Sequence, residues 1–200
     1  MSGVMNTTGA VSGVLGTTSA PAVGTGTDGY VFTGTGAGVD AAWEAAAAGG
    51  KVLQVVQDVK TDTASTTSSS WVATIDIAAT LTVSSGSKVL IICDLMLGTK
   101  TTSAWVGINI YRGATANIYV GDAASSRIQV SSQFRGQYQD IGTTGGTFLD
   151  GSPGTGSVTY TLYWSCQSGH GGYLNRDHTS TDNNSFVRAA SSLTLMEIGA

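Results

Sequence analysis

Hydrophobic and polar residues alternate along much of the chain after residue 50. Between Trp71 and Val83 every second residue is apolar, and Thr or Asp occupies most of the positions between them. A period of two places the apolar side chains on one face of an extended backbone, which predicts a half-buried strand or a bent pair of strands. Residues 89–93 are apolar at every position. That pattern predicts a strand covered on both faces.

Other apolar stretches of strand length follow, separated by turn-forming residues. The predicted strands span residues 52–59, 105–111, 117–120, 127–134, 157–166, 172–175 and 192–198. Loops or turns are predicted at residues 61–70, 84–87, 143–146 and 150–154, where Thr, Ser, Gly and Asp are frequent. Helical patterns do not alternate with these strands. The sequence therefore predicts an all-β fold, an antiparallel, jelly-roll-like β-sandwich over residues 51–200.

Residues 1–50 instead repeat at an interval of ten. The tripeptide at residues 2–4 returns at residues 12–14, and the tripeptide at residues 24–26 returns at residues 34–36. Gly, Ala, Thr and Ser make up most of this region. Because such residues offer little bulk to bury, the region cannot form a core of its own. We expect an extended Gly/Thr/Ala-rich N-terminal arm that docks onto a larger assembly.

A short helix is predicted at the end of this arm. Residues 41–48 are mostly alanine, Asp40 suits the N-cap, Glu44 suits the first turn and Gly49 suits the C-terminal end. Two turns are too few for a helix that stands alone, so this one needs neighbours. The predicted organisation is thus an arm or linker over residues 1–50 and a displayed domain over residues 51–200.

Composition narrows the class of partner. Charged residues make up 11% of the chain, against about 25% in typical soluble domains. The 9 basic residues are scattered and outnumbered by 13 acidic ones, so no basic stripe favours nucleic acid. Apolar runs stay far below the length of a membrane span, and the first residues lack a secretory signal. Cys93 and Cys166 lie among apolar strand residues, which predicts buried free thiols.

The two histidines are the first candidates for chemistry. His170 and His178 bracket Tyr173, Asn175 and Asp177, and Asp182 follows four residues later. A metal site needs three or four converging ligands, and this spacing matches none of the usual patterns. We interpret the segment as a polar loop whose side chains cap their own backbone.

Catalytic carboxyl groups and nucleophiles are the next candidates. Asp140, Asp150 and Asp182 could supply the acid pair of a glycan-cleaving enzyme, but nothing in their spacing sets the separation that such a pair needs. The Gly-rich motifs at Gly24 and Gly34 lack the Lys and the strand-to-helix setting of a phosphate loop. The sequence therefore predicts no enzyme, no catalytic, cofactor-binding or metal-binding residue, and no cofactor.

Aromatic residues fall in or beside the predicted strands. In residues 160–166 the even-numbered side chains share one face, and Thr161, Tyr163 and Ser165 share the other. If the even face is core, Tyr163 is a candidate for an exposed or intersubunit contact. The residues predicted mainly as core or subunit contacts, with a minority lining a carbohydrate platform, are Trp105, Tyr111, Tyr119, Tyr138, Tyr160, Tyr163, Trp164 and Tyr173.

Several segments carry a resemblance. They are residues 174–188 and 191–198, Lys51-Val52-Leu53-Gln54-Val55-Val56, Tyr111-Arg112-Gly113 and Tyr119-Val120-Gly121-Asp122. Together they resemble a family of small β-rich virion proteins, tail-fibre or head-fibre-like, from marine and cyanobacterial tailed bacteriophages, over most of residues 51–200. Residues 24–26, 29–33 and 36–38 with Trp43 are similar to the linker before the displayed domains of phage tail fibres.

This resemblance implies a non-enzymatic virion structural protein. It would be a homotrimeric surface fibre or knob, made in the host cytoplasm, that residues 1–50 anchor to capsid or tail proteins. The sandwich would be displayed on the virion surface for host attachment, with a host glycan or receptor as a further partner and with neither nucleic acid nor membrane insertion. A capsid decoration (cement) or head-fibre protein that stabilises the shell is the alternative, and a glycan-cleaving tail spike is the third. Because the chain opens on the ten-residue repeat and not on a recognisable tail-docking domain, a short fibre, knob or decoration protein is favoured.

Overall fold

Strands dominate the part of the protein that the structure describes. The structure is a computed structural model, and it describes residues 30–33, 42–45, 51–114, 118–136, 139–179 and 182–200. Within these ranges it contains twelve strands and no helix. The chain divides into two units, Met1–Ala48 and Gly49–Ala200.

The described part of the first unit is a pair of short strands. Strand β1 (Tyr30–Thr33) pairs antiparallel with β2 (Ala42–Ala45). The helix predicted at residues 41–48 is therefore wrong where it is described. An isolated two-turn helix has little stability, whereas the Tyr, Val, Phe and Thr of β1 have high β-propensity and offer a pairing partner. The rest of the predicted arm lies outside the described residues, so its docking role stays a prediction.

The second unit contains the other ten strands of the described residues. They are β3 (Val52–Lys60), β4 (Ala64–Thr66), β5 (Ala78–Val83), β6 (Lys88–Thr99), β7 (Trp105–Arg112), β8 (Ser132–Arg135), β9 (Ile141–Asp150), β10 (Gly156–Cys166), β11 (Gly172–Leu174) and β12 (Ser191–Ile198). The smaller sheet has the order β5-β10-β7-β8, and the larger sheet has the order β3-β12-β6-β11-β4, with β9 paired to the opposite side of β6. All these pairs are antiparallel, which confirms the predicted all-β, sandwich-like class, and the sheets curl toward a half-barrel.

The core lies between the two sheets and follows the predicted alternation. The even-numbered side chains of residues 160–166 are fully buried, as predicted. Each large apolar side chain buried in this way contributes about 1.5–3 kcal/mol. The largest fully buried side chains are Trp164, Tyr160, Ile75, Ile77, Ile91, Leu95, Leu97, Ile108, Ile110, Leu162, Leu174 and Leu193.

Polar contacts join the sheets along both edges. On one edge, the carboxylate of Asp58 in β3 accepts a hydrogen bond of 2.9 Å from the backbone N–H of Ala78 in β5. On the other edge, the hydroxyl of Thr144 in β9 donates to the carbonyl of Gln133 in β8 at 2.9 Å and lies 2.7 Å from the hydroxyl of Ser132. The two sheets therefore form one body.

The turn predicted at residues 143–146 is wrong, because β9 runs straight through it. A Cβ atom on Gly145 would lie 1.9 Å from the carbonyl oxygen of Cys93 in β6. The glycine is there because the two backbones approach closely, which is the other common reason for glycine inside a strand.

Two predicted strands begin later than the pattern indicated. The strand expected from Trp71 starts only at Ala78, since Asp76 has a φ of 56° that interrupts the extended backbone. Ile75 and Ile77 are nevertheless fully buried. The strand expected at residues 127–134 starts at Ser132. Alternating burial therefore does not require continuous pairing.

Two smaller differences concern loops. The strand predicted at residues 117–120 is wrong over residues 118–120, where Ile118 and Tyr119 pack against the core from a bend. The loop predicted at residues 61–70 contains the short strand β4, which pairs with β11. In both places burial of single side chains and local pairing outweigh the residue pattern.

Candidate binding surfaces of the two sheets

The outer face of the larger sheet carries a continuous row of apolar side chains. Val55 in β3 pairs with Met196 in β12, Met196 with Leu90 in β6, and Leu90 with Leu149 in β9. Val55 and Leu149 are 54% and 50% exposed, and the two residues between them are half-buried. Four strands span about 14 Å at the usual spacing of about 4.8 Å. We call these four residues the apolar row.

The positions beside the apolar row are mixed in polarity. Ile92 lies next to it on β6, but Gln57 and Thr194, whose side chains are hydrogen-bonded at 2.7 Å, flank Ile92 on β3 and β12. Lys88 and Asp94 bring charge only at the two ends of this part of β6. The two-sided apolar pattern of residues 89–93 predicted a strand covered on both faces, but Leu90 and Ile92 remain half-exposed. Contiguous exposed apolar surface of this kind marks an interaction site in soluble proteins.

The outer face of the smaller sheet has a different chemistry. The hydroxyls of Thr80 in β5 and Thr159 in β10 lie 2.7 Å apart. The rings of Tyr111 in β7 and Tyr163 in β10 stack with centroids 3.7 Å apart, and Tyr163 is half-buried on the predicted face. Burial, followed by the neighbouring Tyr163, raises the pKa of Tyr111. This face offers hydroxyl groups and aromatic faces instead of aliphatic side chains.

An open groove of 560 Å³ adjoins this face at the β7–β8 edge. Its lining residues, here called the groove residues, are Trp105, Ser126, Arg127, Ile128, Val130, Gln133 and Arg135. Sequence reasoning singled out Trp105 among them, because the others are scattered between a loop and a four-residue strand. The usable signal was a pair of arginines eight residues apart, with no acidic residue between them, in an acidic chain.

A glycine beside the groove permits the close approach of one of its walls. Gly107 of β7 faces outward between two core residues, and a Cβ there would lie 2.9 Å from a methyl group of Val130 and 3.0 Å from the ring of Trp71. The missing side chain therefore lets the loop cross the sheet at close range. The loop is tied down where the backbone N–H of Ser131 donates to the carbonyl of Ile108 at 2.9 Å.

The side chains around the predicted polar loop behave as backbone caps. Asn175 is fully buried with a φ of 60°, and its amide nitrogen donates to the carbonyls of Lys60 and Asp62, both at 2.8 Å. Its amide oxygen accepts a bond of 2.6 Å from the hydroxyl of Ser191. Asp177 accepts hydrogen bonds from the backbone and hydroxyl of Thr179. These contacts agree with the interpretation as a structural loop.

The histidines are held by different neighbours. His170 Nδ1 lies 2.7 Å from the hydroxyl of Thr101, whereas the ring of His178 lies edge-on to Tyr173 with centroids 6.1 Å apart. Asp182 is exposed in the segment between β11 and β12. Among the described residues no group of three or more His, Cys, Asp or Glu side chains is placed to hold a metal ion.

Two of the three carboxyl groups considered for glycan cleavage, Asp140 and Asp150, are far apart. Asp140 directly precedes β9 and Asp150 ends it, so about ten strand steps, or about 33 Å, separate them. A catalytic pair needs about 5–10 Å. Asp150 is instead buried in a structural cluster, where it accepts bonds from Arg112 at 2.6 Å and from the Tyr160 hydroxyl at 2.8 Å. Burial, followed by this hydrogen bond, raises the pKa of Tyr160.

A second buried carboxylate was missed by sequence reasoning. Glu197 is 1% exposed and accepts bonds from the side-chain amide of Gln54 at 2.6 Å and the backbone N–H of Ser84 at 2.7 Å. These two bonds, in that order, lower its pKa to about 2. Glu197 occupies an inward position in an alternating strand, and a lone charge at such a position is a signal for a buried polar contact.

The structure describes the two cysteines but not all of the other residues considered in the sequence. Cys93 and Cys166 are buried and unbridged, as predicted, and burial raises the pKa of both thiols. A raised pKa disfavours the reactive thiolate. Gly24, Gly34 and Tyr138 lie outside the described residues.

No protein-family model matches the chain, and no curated protein matches it. In the part of the chain that the structure describes, no helix combines the length and the hydropathy that crossing a bilayer requires. The two outer faces and the groove are therefore the observations on which a function must rest.

Proposed function

We propose that this chain is a non-enzymatic structural protein of a bacteriophage virion, a trimeric surface fibre or knob. In this proposal residues 1–50 anchor it to capsid or tail proteins, and the sandwich is displayed for host attachment. The sequence resemblance supplies the phage setting. The apolar row is the single structural observation that carries the assembly part of the proposal.

The apolar row favours packing against other copies of the chain. Val55 and Leu149 each leave about half of a large aliphatic side chain in water, and covering such surface stabilises an assembly by about 25 cal/mol per Å². β3 also ends the larger sheet, so a neighbouring subunit would protect an exposed strand edge. Closed rings of identical subunits bury a patch of this kind on every copy.

The buried polar groups favour a structural role over catalysis. Asp150 and Glu197 each accept two or more hydrogen bonds within the fold, and Asp140 lies at the far end of β9 from Asp150. Such carboxylates hold strands together. The surface that remains for a partner is the hydroxyl-rich and aromatic face of the smaller sheet, which suits a hydrated ligand on a host cell.

Three measurements test this proposal. Light scattering on the purified full chain should give a mass of three chains, and a monomer at micromolar concentration would contradict the assembly. Quantitative mass spectrometry of purified phage particles should then find the chain at a few to a few tens of copies. Hundreds of copies would identify a capsid decoration protein instead, and absence from particles would overturn the virion role. Release of reducing sugar from host polysaccharide by the pure protein would contradict the non-enzymatic assignment.

The role of the arm has its own test. A chain that lacks residues 1–50 should still give the circular dichroism spectrum of a β protein, because the described core lies within residues 51–200. It should fail to appear in particles when it is the only copy expressed. Normal incorporation of the shortened chain would contradict the anchoring role.

A further inference from the structure

The groove is positively charged, although the chain as a whole is acidic. The protein carries a formal net charge of −4. Two arginines nevertheless line the groove, and the lining that the structure describes contains no Asp or Glu. A site with this charge attracts anions, because neither guanidinium has to be drawn away from a carboxylate within the groove.

The groove also offers an aromatic face beside its cations. Trp105 and Arg135 are directly paired across β7 and β8, and both side chains point to the outer face. The Nε atom of Arg135 donates to the carbonyl of Ser103 at 2.7 Å, which fixes this side chain at the rim. Arg127 lies on the loop that forms the other wall. A preorganised arginine loses less side-chain entropy when it binds an anion than a free one does.

The apolar part of the lining matches the less polar face of a sugar ring. Trp105 is half-buried and Ile128 is 54% exposed. A ring such as that of tryptophan presents a large flat apolar surface with a polar tip. Gln133 adds an amide that can both donate and accept hydrogen bonds to hydroxyl groups.

We propose that the groove binds an anionic polysaccharide. A sugar ring would stack on Trp105, and its carboxylate or sulfate groups would meet the guanidinium groups of Arg127 and Arg135, which suit planar or multidentate oxyanions. This inference rests on the proposed function at one point only: the polysaccharide is taken to come from the host surface. Nucleic acid fits less well, since two cations in one groove cannot follow a phosphate backbone.

Binding of the full-length protein to immobilised polymers tests this inference. The polymers are alginate (carboxylated), dextran sulfate (sulfated), neutral dextran and single-stranded DNA, measured at about 0.15 M salt to screen long-range attraction. Binding to either anionic polysaccharide above the level for neutral dextran and DNA supports the groove, and the stronger of the two identifies the anionic group. Absence of binding to both, or equal binding to DNA, overturns the inference.

Matched double variants separate the groove from general charge. Arg127→Ala with Arg135→Ala should weaken binding on the order of tenfold or more, because two charge-assisted contacts are lost. Lys51→Ala with Lys88→Ala removes the same charge from exposed positions elsewhere and should weaken binding by less than about twofold. Equal weakening by both pairs overturns the inference.

A second matched pair keeps the test valid if an arginine variant is unstable. Ile128 and Val187 are both exposed loop residues, at 54% and 57%, so a glutamate at either position should leave the fold intact. Ile128→Glu places a negative charge in the groove and should abolish binding to the anionic polysaccharides, whereas Val187→Glu should leave it unchanged. Retained binding in Ile128→Glu overturns the inference. The binding assay uses purified protein and does not depend on the particle copy number. A failure of the virion role would therefore leave the binding result unaffected.

Discussion

The outer faces of the two sheets rest on one core but differ in chemistry. The face of the larger sheet carries the apolar row, whereas the face of the smaller sheet carries paired threonines and the stacked Tyr111 and Tyr163. The apolar row releases ordered water when another protein covers it. The hydroxyl groups of the smaller sheet can exchange hydrogen bonds with water for hydrogen bonds with a sugar at little cost.

This difference teaches how one sandwich can serve two partners. The alternation of side chains lets each strand contribute to the core with one face and to a surface with the other. The second face of β6 carries Leu90 and Ile92 between Lys88 and Asp94, and β9 adds Leu149, whereas most outward residues of β5 and β10 are Thr, Ser or Tyr. The choice of outward residue therefore separates a surface for assembly from a surface for binding without any change in topology.

The largest expected effect comes from breaking the sheet that carries the apolar row. Gly145→Ala would place a methyl group within 1.9 Å of the Cys93 carbonyl oxygen, and backbone cannot move aside as a side chain can. We expect a loss of more than about 4 kcal/mol in the free energy of unfolding, measured by urea denaturation. The apolar row would lose Leu149 as β9 separates from β6.

Gly146→Ala is the matched control for this variant. Its Cβ would meet the ring of Phe148 at 2.8 Å, and a half-buried ring can rotate away. The expected loss is about 1–2 kcal/mol. If the two neighbouring variants lose the same stability, the close approach of β6 and β9 is not what requires glycine at position 145.

These two glycines also define what the sequence could predict. The alternation of apolar residues correctly predicted the class of the fold, the core face of residues 160–166 and most strands. Glycine at positions 145 and 146 was interpreted as a turn, because the local sequence does not reveal whether a partner backbone lies alongside. The same limit applies to β2, where local helix propensity gave no sign of its pairing with β1.

The surfaces were harder to predict than the core. The apolar row depends on register, since Val55, Met196, Leu90 and Leu149 are brought together from four strands that are distant in sequence. The arginines of the groove come from a loop and a short strand whose crossing is set by Gly107. Residue pattern fixes which side chains share a strand face, but only the pairing of strands fixes which faces become one surface.

A lysine substitution tests the contrast between the faces directly. Leu149→Lys should convert the expected trimer to a monomer in light scattering, because an unpaired ammonium group in an apolar contact costs several kcal/mol. Thr82→Lys places the same charge on the exposed outer face of the smaller sheet and should leave the mass unchanged. If Thr82→Lys dissociates the assembly and Leu149→Lys does not, the roles of the two faces are reversed.

The smallest expected effect concerns one of the polar contacts that join the two sheets. Glu197 of β12 binds Gln54 in β3 and the backbone after β5, so it joins the two sheets. Glu197→Gln would replace one acceptor oxygen with a donor that faces other donors, and should lower the free energy of unfolding at pH 7 by about 1–3 kcal/mol.

The pH dependence of stability provides the sharper readout for the same variant. The pKa of Glu197 is lowered from 4.5 to about 2 in the fold. A lowered pKa gives stability that is fully present above pH 4.5 and is lost as the pH falls toward 2. Urea denaturation across this range should therefore show a shallower decline for Glu197→Gln than for the native chain, while Asp122→Asn, at an exposed loop position, should follow the native curve. If Glu197→Gln declines as steeply as the native chain, this carboxylate does not control the acid sensitivity of the contact between the sheets.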